Sequence, residues 1–121
     1  MSSSHVIVAL FHILFVVPLF GYVAFQRAAT EDWIYNILLA LGGIVLFYHG
    51  YKSAVRLLAG STFAWVNLFH VLIVAPLLIY IGYNGKKTPR AAYELLAMAG
   101  FAALGYHIYS ILMAVNIISD D

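Results

Sequence analysis

Residues 10–22 read LFHILFVVPLFGY, and residues 68–80 read LFHVLIVAPLLIY. Thr30 returns as Thr88, and seven further identities link residues 35–51 to residues 93–109 at the same offset of 58. The 16 identities need no gap, and they align two histidines, a proline and a glycine of each half. Such internal similarity is typical of duplicated structural units. We therefore interpret the chain, residues 1–121, as a single domain built by tandem duplication, with repeat 1 at about residues 5–58 and repeat 2 at about residues 63–118.

The composition is that of a membrane protein. Of 121 residues, 64% are hydrophobic and 9% are charged, and the mean hydropathy is +0.96. A soluble domain needs considerably more charge to cover its surface. A stretch of about 20 apolar residues suffices to cross a hydrocarbon layer. The chain has such stretches at roughly Val6–Phe25, Trp33–Tyr51 (continuing to about Leu58), Phe63–Tyr83 and Ala91–Ile118.

These runs predict an all-α integral membrane protein with four transmembrane helices. Loops of about five residues force consecutive helices to pack antiparallel, so the two duplicated hairpins are expected to form an antiparallel bundle with a pseudo-twofold axis along the membrane normal. The first run is not interpreted as a signal peptide, because it lacks a basic leading segment and its copy is internal. Pro18 and Pro76 lie at matching places and are expected to bend both copies alike.

Helical geometry places the paired histidines at one depth. His12 lies six residues into the first helix, roughly 9 Å along its axis. His49 lies near the far end of the second helix, which runs in the opposite direction, so both are expected at a similar height. The duplication adds His70 and His107 to that height. The sequence therefore predicts a layer of four imidazoles inside the bundle.

A repeated stripe predicts which face of each hairpin points inward. The matched residues of the second helix recur at steps of three or four, which is one helical face. They are Tyr35, Leu38, Gly42, Leu46 and His49, with copies at Tyr93, Leu96, Gly100, Leu104 and His107. Small residues allow close approach of membrane helices, so the two glycines are expected at helix contacts. This stripe is predicted to face protein rather than lipid.

The first functional hypothesis is a site for a transition metal or haem. Imidazole suits zinc, copper and iron, and rings on facing helices can hold a cofactor in a bundle core. The predicted ligands are His12, His49, His70 and His107, and the predicted surrounding residues are Tyr48, Tyr106 and Asn67. Asn67 precedes His70 by one turn and is expected to hydrogen-bond it. The other half has Ala9 at that place.

Two other hypotheses use the same residues. Histidines and tyrosines can line a proton or ion path, as in a channel or transporter. They can equally form a purely structural polar network that holds the helices of a scaffold protein together. An enzyme is not favoured, because no nucleophile or carboxylate lies at a recognisable spacing from a histidine. No basic patch interleaved with aromatic residues favours a nucleic-acid partner.

The expected surroundings are the lipid bilayer and further copies of the chain, since so small a bundle covers little area. Lys52 and Arg56 are expected to reach the headgroups where the second helix leaves lipid. The loops at the opposite side carry more basic residues, which places that side in the cytoplasm and both termini outside. The duplication also predicts that His49→Ala and His107→Ala act alike.

Overall fold

The computed structural model describes residues 3–119 and the side chains of residues 5–115. The described chain is helical and contains no strand. Its α-helices are α1 (Ser3–Phe11), α2 (Val17–Gln26), α3 (Asp32–Leu58), α4 (Ala64–Phe69), α5 (Ala75–Asn84) and α6 (Arg90–Ser119). Two π-helical turns, His12–Val16 and His70–Val74, join α1 to α2 and α4 to α5. Short 3₁₀ turns follow α2 and α5 at Arg27–Ala29 and Gly85–Lys87.

These elements form four continuous helices among the described residues. By length and composition each can cross a membrane, and we call them the first to fourth spans: His5–Ala29, Asp32–Leu58, Ala64–Lys87 and Arg90–Val115. They have 25, 27, 24 and 26 residues, against about 20 needed to cross the hydrocarbon layer. The predicted number, order and approximate limits of the apolar helices are therefore confirmed.

The two π turns are the local response to the prolines. Proline has no N–H, and its ring collides with the carbonyl of the residue four positions earlier. One residue before Pro18, the N–H of Val17 bonds the carbonyl of His12, and Ala75 bonds His70 in the same way before Pro76. This wider turn begins at the histidine in both copies. The expected disturbance of the helix thus takes the form of a π turn, a feature often found at functional sites.

The chain divides into two compact units that do not follow the repeat boundary. One unit combines the chain up to Phe25 with the chain from Glu94 onwards, so it contains most of the first span and most of the fourth. The other is Gln26–Tyr93, which contains the second and third spans. In the second unit, Gly42 lies against Ile79 and Gly82 lies against Leu39, so these two helices run antiparallel.

Glycines set how closely helices approach within each unit. A Cβ atom on Gly42 would lie 2.7 Å from the Ile79 side chain, and one on Gly82 would lie 2.6 Å from the backbone nitrogen of Leu39. In the first unit, a Cβ on Gly100 would be at an ordinary 3.4 Å from Phe20. The expected close approach is therefore confirmed for Gly42. The contact at Gly100 is looser, and the counterpart of Ile79 in that unit is Gly21, which has no side chain.

Burial confirms the predicted stripe. Tyr35, Leu38 and Gly42 are buried, and so are the equivalent residues of the second repeat, Tyr93, Leu96 and Gly100. The two leucines and two histidines that complete the stripes are half-buried. Both copies of this face are therefore covered by protein. Tyr35 and Tyr93 are therefore core residues, whereas Trp33 and Tyr83 near the same loops are exposed.

A hydrogen-bonded tyrosine pair closes the loop end of the second unit. The hydroxyl oxygens of Tyr35 and its repeat partner Tyr93 are 2.7 Å apart. Tyr35 donates to the Arg27 carbonyl at 2.7 Å, and Tyr93 lies 3.3 Å from the equivalent carbonyl of Gly85. Since each hydroxyl has one hydrogen, the shorter distances favour the order Tyr93 to Tyr35 to Arg27. Residues that the duplication made equivalent thus bond to each other.

A lysine found in only one repeat joins the same two loops. Lys86 donates to the carbonyls of Ala28 and Thr30, at 3.0 and 2.8 Å. The repeat places Lys86 opposite Ala28, so only one such link can form. Three backbone carbonyls at this end of the second unit, those of Arg27, Ala28 and Thr30, therefore accept hydrogen bonds from side chains. Carbonyls at helix ends need such partners, because they have none within the helix.

The first loop carries backbone strain that the second avoids. Arg27 has φ 51°, the only positive φ at a non-glycine position in the described chain, and the equivalent Gly85 has φ 57°. A side chain in this region costs roughly 1 kcal/mol or more. We expect Arg27→Gly to raise the free energy of unfolding by about 1 kcal/mol, measured by thermal unfolding in detergent micelles. Arg27→Ala removes the same charge but keeps the strain, so an equal gain from it would contradict this explanation.

Candidate histidine site

Two of the histidines start the π turns and are held by their own helices. The Nδ1 atom of His12 lies 2.8 Å from the carbonyl oxygen of Val8, and Nδ1 of His70 lies 2.7 Å from that of Val66. A carbonyl oxygen only accepts hydrogen bonds, so each Nδ1 carries the hydrogen. In the neutral ring the lone pair then lies on Nε2. The same four-residue spacing produces this tautomer in both repeats.

The histidines stack in pairs, one pair in each unit. The rings of His12 and His107 have centroids 4.3 Å apart and planes at 26°. The rings of His49 and His70 have centroids 4.1 Å apart and planes at 11°. The duplication maps one pair onto the other, and all four side chains are half-buried. Each pair therefore brings one imidazole from each of two antiparallel spans into contact.

The four-ligand arrangement expected of a metal site stays a prediction. Among the described residues, no group of three or more histidine, cysteine, aspartate or glutamate side chains is placed to hold a metal ion. What the structure brings together is two imidazoles at a time. Any group bound at one pair therefore needs to be satisfied with two protein nitrogens.

Aromatic rings stand beside every paired histidine. The ring of Tyr48 meets that of His49 edge to face at 5.1 Å, and Tyr106 meets His107 at 5.2 Å. Phe11 and Phe69 hold the same relation to the histidines that follow them. Tyr48 and Tyr106 are exposed, with 55% and 40% of their surface accessible. They cover one edge of each pair and keep their rings towards the outside of their own helix.

Asn67 joins the site through a different partner from the one expected. It was predicted to bond His70 on its own helix, but its side-chain nitrogen lies 2.8 Å from Nδ1 of His49 on the facing helix. The reason is that Nδ1 of His70 already donates to the Val66 carbonyl. Asn67 is 3% exposed, so the bond is made in the interior of the second unit.

Arg56 completes a chain that ends on His49. Its Nη1 atom donates to the Oδ1 oxygen of Asn67 at 2.6 Å. The expectation that Arg56 reaches the headgroups stays a prediction, and the structure adds a bond to a buried amide on the next helix. Arg56 donates to Asn67, and Asn67 donates to His49. Both bonds join the second span to the third.

Comparison of the two repeats contains a signal for this series of hydrogen bonds, and sequence reasoning missed it. The equivalents of Arg56 and Asn67 are Ala114 and Ala9, and both alanines are buried in the first unit. Two polar residues in one repeat thus correspond to two alanines in the other. That joint exchange indicates a pair in contact, since neither polar side chain is readily buried without its partner.

No family model, curated protein or solved structure matches this chain. The site consists of two pairs of stacked imidazoles. In each pair one ring, His12 or His70, carries a hydrogen on Nδ1. Such rings can ligate a transition metal through Nε2, exchange hydrogen bonds, or hold two helices together.

Proposed function

We propose that the protein is an integral membrane protein that holds a metal-bearing cofactor at paired histidines. The membrane assignment is supported by four apolar spans among the described residues and by large apolar side chains left open to the surroundings. Leu58, Phe25 and Phe47 are 90%, 83% and 78% exposed. Patches of this extent are costly in water and neutral in lipid. The more basic loops are assigned to the cytoplasmic side.

The observation that carries the cofactor proposal is the bond from Nδ1 of His12 and His70 to a backbone carbonyl. Histidines that ligate a metal commonly donate their other ring N–H in this way, which fixes the ring and leaves the lone pair of Nε2 for the metal. A second imidazole from the facing helix stands about 4 Å away in each unit. Cofactor sites in helical bundles are built from side chains on facing helices.

Haem suits two imidazoles better than zinc does. Structural zinc takes four protein ligands and catalytic zinc takes three, whereas haem would need no more than two protein ligands, the number that each pair could supply. A metal held between two ring nitrogens would set the ring centroids roughly 6 Å apart. The stacked rings, at 4.1 and 4.3 Å, would have to separate and turn to bind one.

A haem held by one of these histidine pairs would supply one-electron chemistry, and the hydrogen bonds of the histidines would influence its potential. We therefore place the function in one-electron transfer within or across the membrane.

The proton-path alternative is less well supported. A relay through a histidine takes up a proton on one ring nitrogen and releases it from the other. Nδ1 of His49 accepts its hydrogen bond from the amide of Asn67, and a side-chain amide does not pass protons on. The amide of Asn67 therefore offers no proton route through Nδ1 of His49.

The test is the absorption spectrum and metal content of protein purified in detergent after expression with haem precursor supplied. We expect a Soret band that is lost when His12, His49, His70 and His107 are all replaced by alanine. His5→Ala is the matched control, because His5 lies on the first span outside both pairs, and it should keep the band. Circular dichroism shows whether each variant retains its helices.

Other outcomes are equally decisive. Stoichiometric zinc or copper without a Soret band would overturn haem as the cofactor. A wild-type protein with neither metal nor Soret band would overturn the proposal altogether. Proton flux into liposomes would then favour the conduit, and its absence would favour the structural network.

A further inference from the structure

We propose that the second unit binds the phosphate group of a membrane lipid where the second span ends, at a cluster of donor side chains formed by Lys52, Ser53 and Arg56. We call these three residues the Arg56 cluster. The inference shares only the membrane assignment with the proposed function, and it stands whether or not the histidines hold a cofactor.

The Arg56 cluster lies at the depth where the phosphates of a bilayer are found. The second span has 27 residues, which makes it about 40 Å long, whereas the hydrocarbon layer is about 30 Å thick. All three residues belong to the last two turns of this span, which ends at Leu58. Long basic side chains at such helix ends reach the lipid headgroups. A lipid phosphate is therefore the anion that this end of the span meets in a membrane.

The two positive charges of the cluster have no carboxylate at their end of the second unit. The only acidic residues of that unit, Glu31 and Asp32, lie at the start of the second span, roughly 36 Å from Arg56 along the helix axis. Lys52 and Arg56 are both half-buried and stand one turn apart. Like charges at this spacing repel each other. An anion bound by both side chains would remove the repulsion.

Arg56 is held in place and still has donors for an anion. A guanidinium has five N–H groups, and Arg56 donates from Nη1 to the amide oxygen of Asn67. That amide is neutral, so the bond orients the guanidinium without compensating its charge. Guanidinium groups bind phosphate oxygens with two parallel hydrogen bonds. An arginine that is already oriented loses less conformational freedom when it binds such a group.

Ser53 is a second and independent indication of a missing acceptor. It is 5% exposed, and its hydroxyl has no hydrogen-bond partner among the described residues. A serine inside a helix can donate to the carbonyl four residues earlier, as Ser110 does to Tyr106 at 3.0 Å. A buried hydroxyl without a partner costs free energy. Since Ser53 lies one turn before Arg56 on the same helical face, an oxygen of the same phosphate would supply its acceptor.

Comparison of the two repeats shows that the cluster belongs to one unit only. The equivalents of Lys52, Ser53, Arg56 and Asn67 are Ser110, Ile111, Ala114 and Ala9. The first unit nevertheless forms its helices and its stacked histidine pair. Neither of those features therefore requires the polar residues of the second unit. A ligand bound at the second unit alone accounts for the difference.

Native mass spectrometry tests the site by counting the lipids that the full chain retains when it is released from detergent micelles. With phosphatidylglycerol in the micelles, we expect one tightly retained lipid per chain. Diacylglycerol, which has no phosphate, should not be retained at the same concentration. Arg56→Gln should weaken the retention of phosphatidylglycerol roughly tenfold or more, because it removes hydrogen bonds to a charged group.

Two further variants separate lipid binding from folding, since Arg56→Gln also loses the bond to Asn67. Lys52→Gln and Ser53→Ala leave that bond in place. Each should weaken the retention of phosphatidylglycerol severalfold, with unfolding unchanged in micelles that contain no anionic lipid. Lys87→Gln is the matched control, because it removes an exposed charge at the other end of the same unit, and it should retain the lipid as the wild type does.

Inorganic phosphate distinguishes a lipid from a free anion. We expect no rise in the midpoint of thermal unfolding when phosphate replaces chloride at equal ionic strength in lipid-free micelles, because a lipid adds the contacts of its acyl chains to those of its phosphate. A rise that Arg56→Gln abolishes would support phosphate recognition and overturn the lipid as the ligand.

Two results would overturn the site itself. One is retention of phosphatidylglycerol that none of the three cluster variants changes. The other is an equal loss of retention in Lys87→Gln, which would indicate general attraction between charges. Neither readout uses the Soret band, so a protein without haem leaves this inference standing, and a failure of lipid binding leaves the proposed cofactor untouched.

Discussion

Gly82→Ala is expected to lower the free energy of unfolding by about 3 kcal/mol. The added Cβ would lie 2.6 Å from the backbone nitrogen of Leu39 and 2.8 Å from its Cα atom. Backbone atoms cannot rotate away as a side chain does, so the third span would have to move off the second. Overpacking of a close contact usually costs between roughly 1 and 3 kcal/mol, and a contact with backbone lies at the upper end.

The control for this change lies on the second span. Gly43 has nothing within 4 Å of its would-be Cβ, so Gly43→Ala should stabilise the helix by up to about 1 kcal/mol. Gly100→Ala, at 3.4 Å from Phe20, should have little effect. Denaturant unfolding in mixed micelles, followed by circular dichroism, measures all three. Equal effects of Gly82→Ala and Gly43→Ala would show that the two spans are not in backbone contact.

Asn67→Ala is expected to cost about 2 kcal/mol, because it leaves Arg56 and Nδ1 of His49 without the bonds that Asn67 provides. Arg56 is only half-buried, so part of its loss is recovered from water or headgroups. Arg56→Ala alone should likewise destabilise, since it strips the buried amide oxygen of its donor. The same micelle unfolding assay measures each variant.

The double variant makes this prediction specific. Arg56→Ala with Asn67→Ala recreates the alanine pair of the first unit, so its cost should fall below the sum of the single costs by about 1 kcal/mol. Lys52→Ala is the control for loss of a charge from the same helix and should be nearly neutral. Strict additivity would mean that Arg56 and Asn67 do not depend on each other.

These expectations replace the one drawn from the duplication alone. The repeat predicts that His49→Ala and His107→Ala act alike. The structure gives His49 a hydrogen-bonded chain that the alanines at positions 9 and 114 cannot form. We therefore expect unequal effects on stability, because only His49→Ala breaks this series of hydrogen bonds.

Much of the fold was readable from local properties of the sequence. The four spans follow from the lengths of the apolar runs, and the buried stripe of Tyr35, Leu38 and Gly42 follows from its helical spacing. Both properties are local, since a helix satisfies its own backbone and shows its periodicity within a few turns. The duplication added the expectation that histidines recur at equivalent places.

The prolines show which part of the helix geometry is readable from the sequence and which part requires the structure. Pro18 and Pro76 predict a disturbed helix. They do not predict whether the helix kinks or forms a wider turn. The structure shows a π turn that begins at the histidine in each copy. That choice sets the direction of the ring relative to the facing helix, which a linear pattern does not contain.

By itself the sequence determined that four apolar helices exist, which faces are covered, and which residues the duplication made equivalent. Only the tertiary structure decided that His12 pairs with His107 and His49 with His70. It also decided that Arg56 and Asn67 act on His49, and that Gly82, whose equivalent is Ala24, is a point of backbone contact. The reason is physical: apolarity and period are fixed within one helix, whereas a hydrogen bond or a steric contact depends on atoms that a second helix brings within a few ångströms.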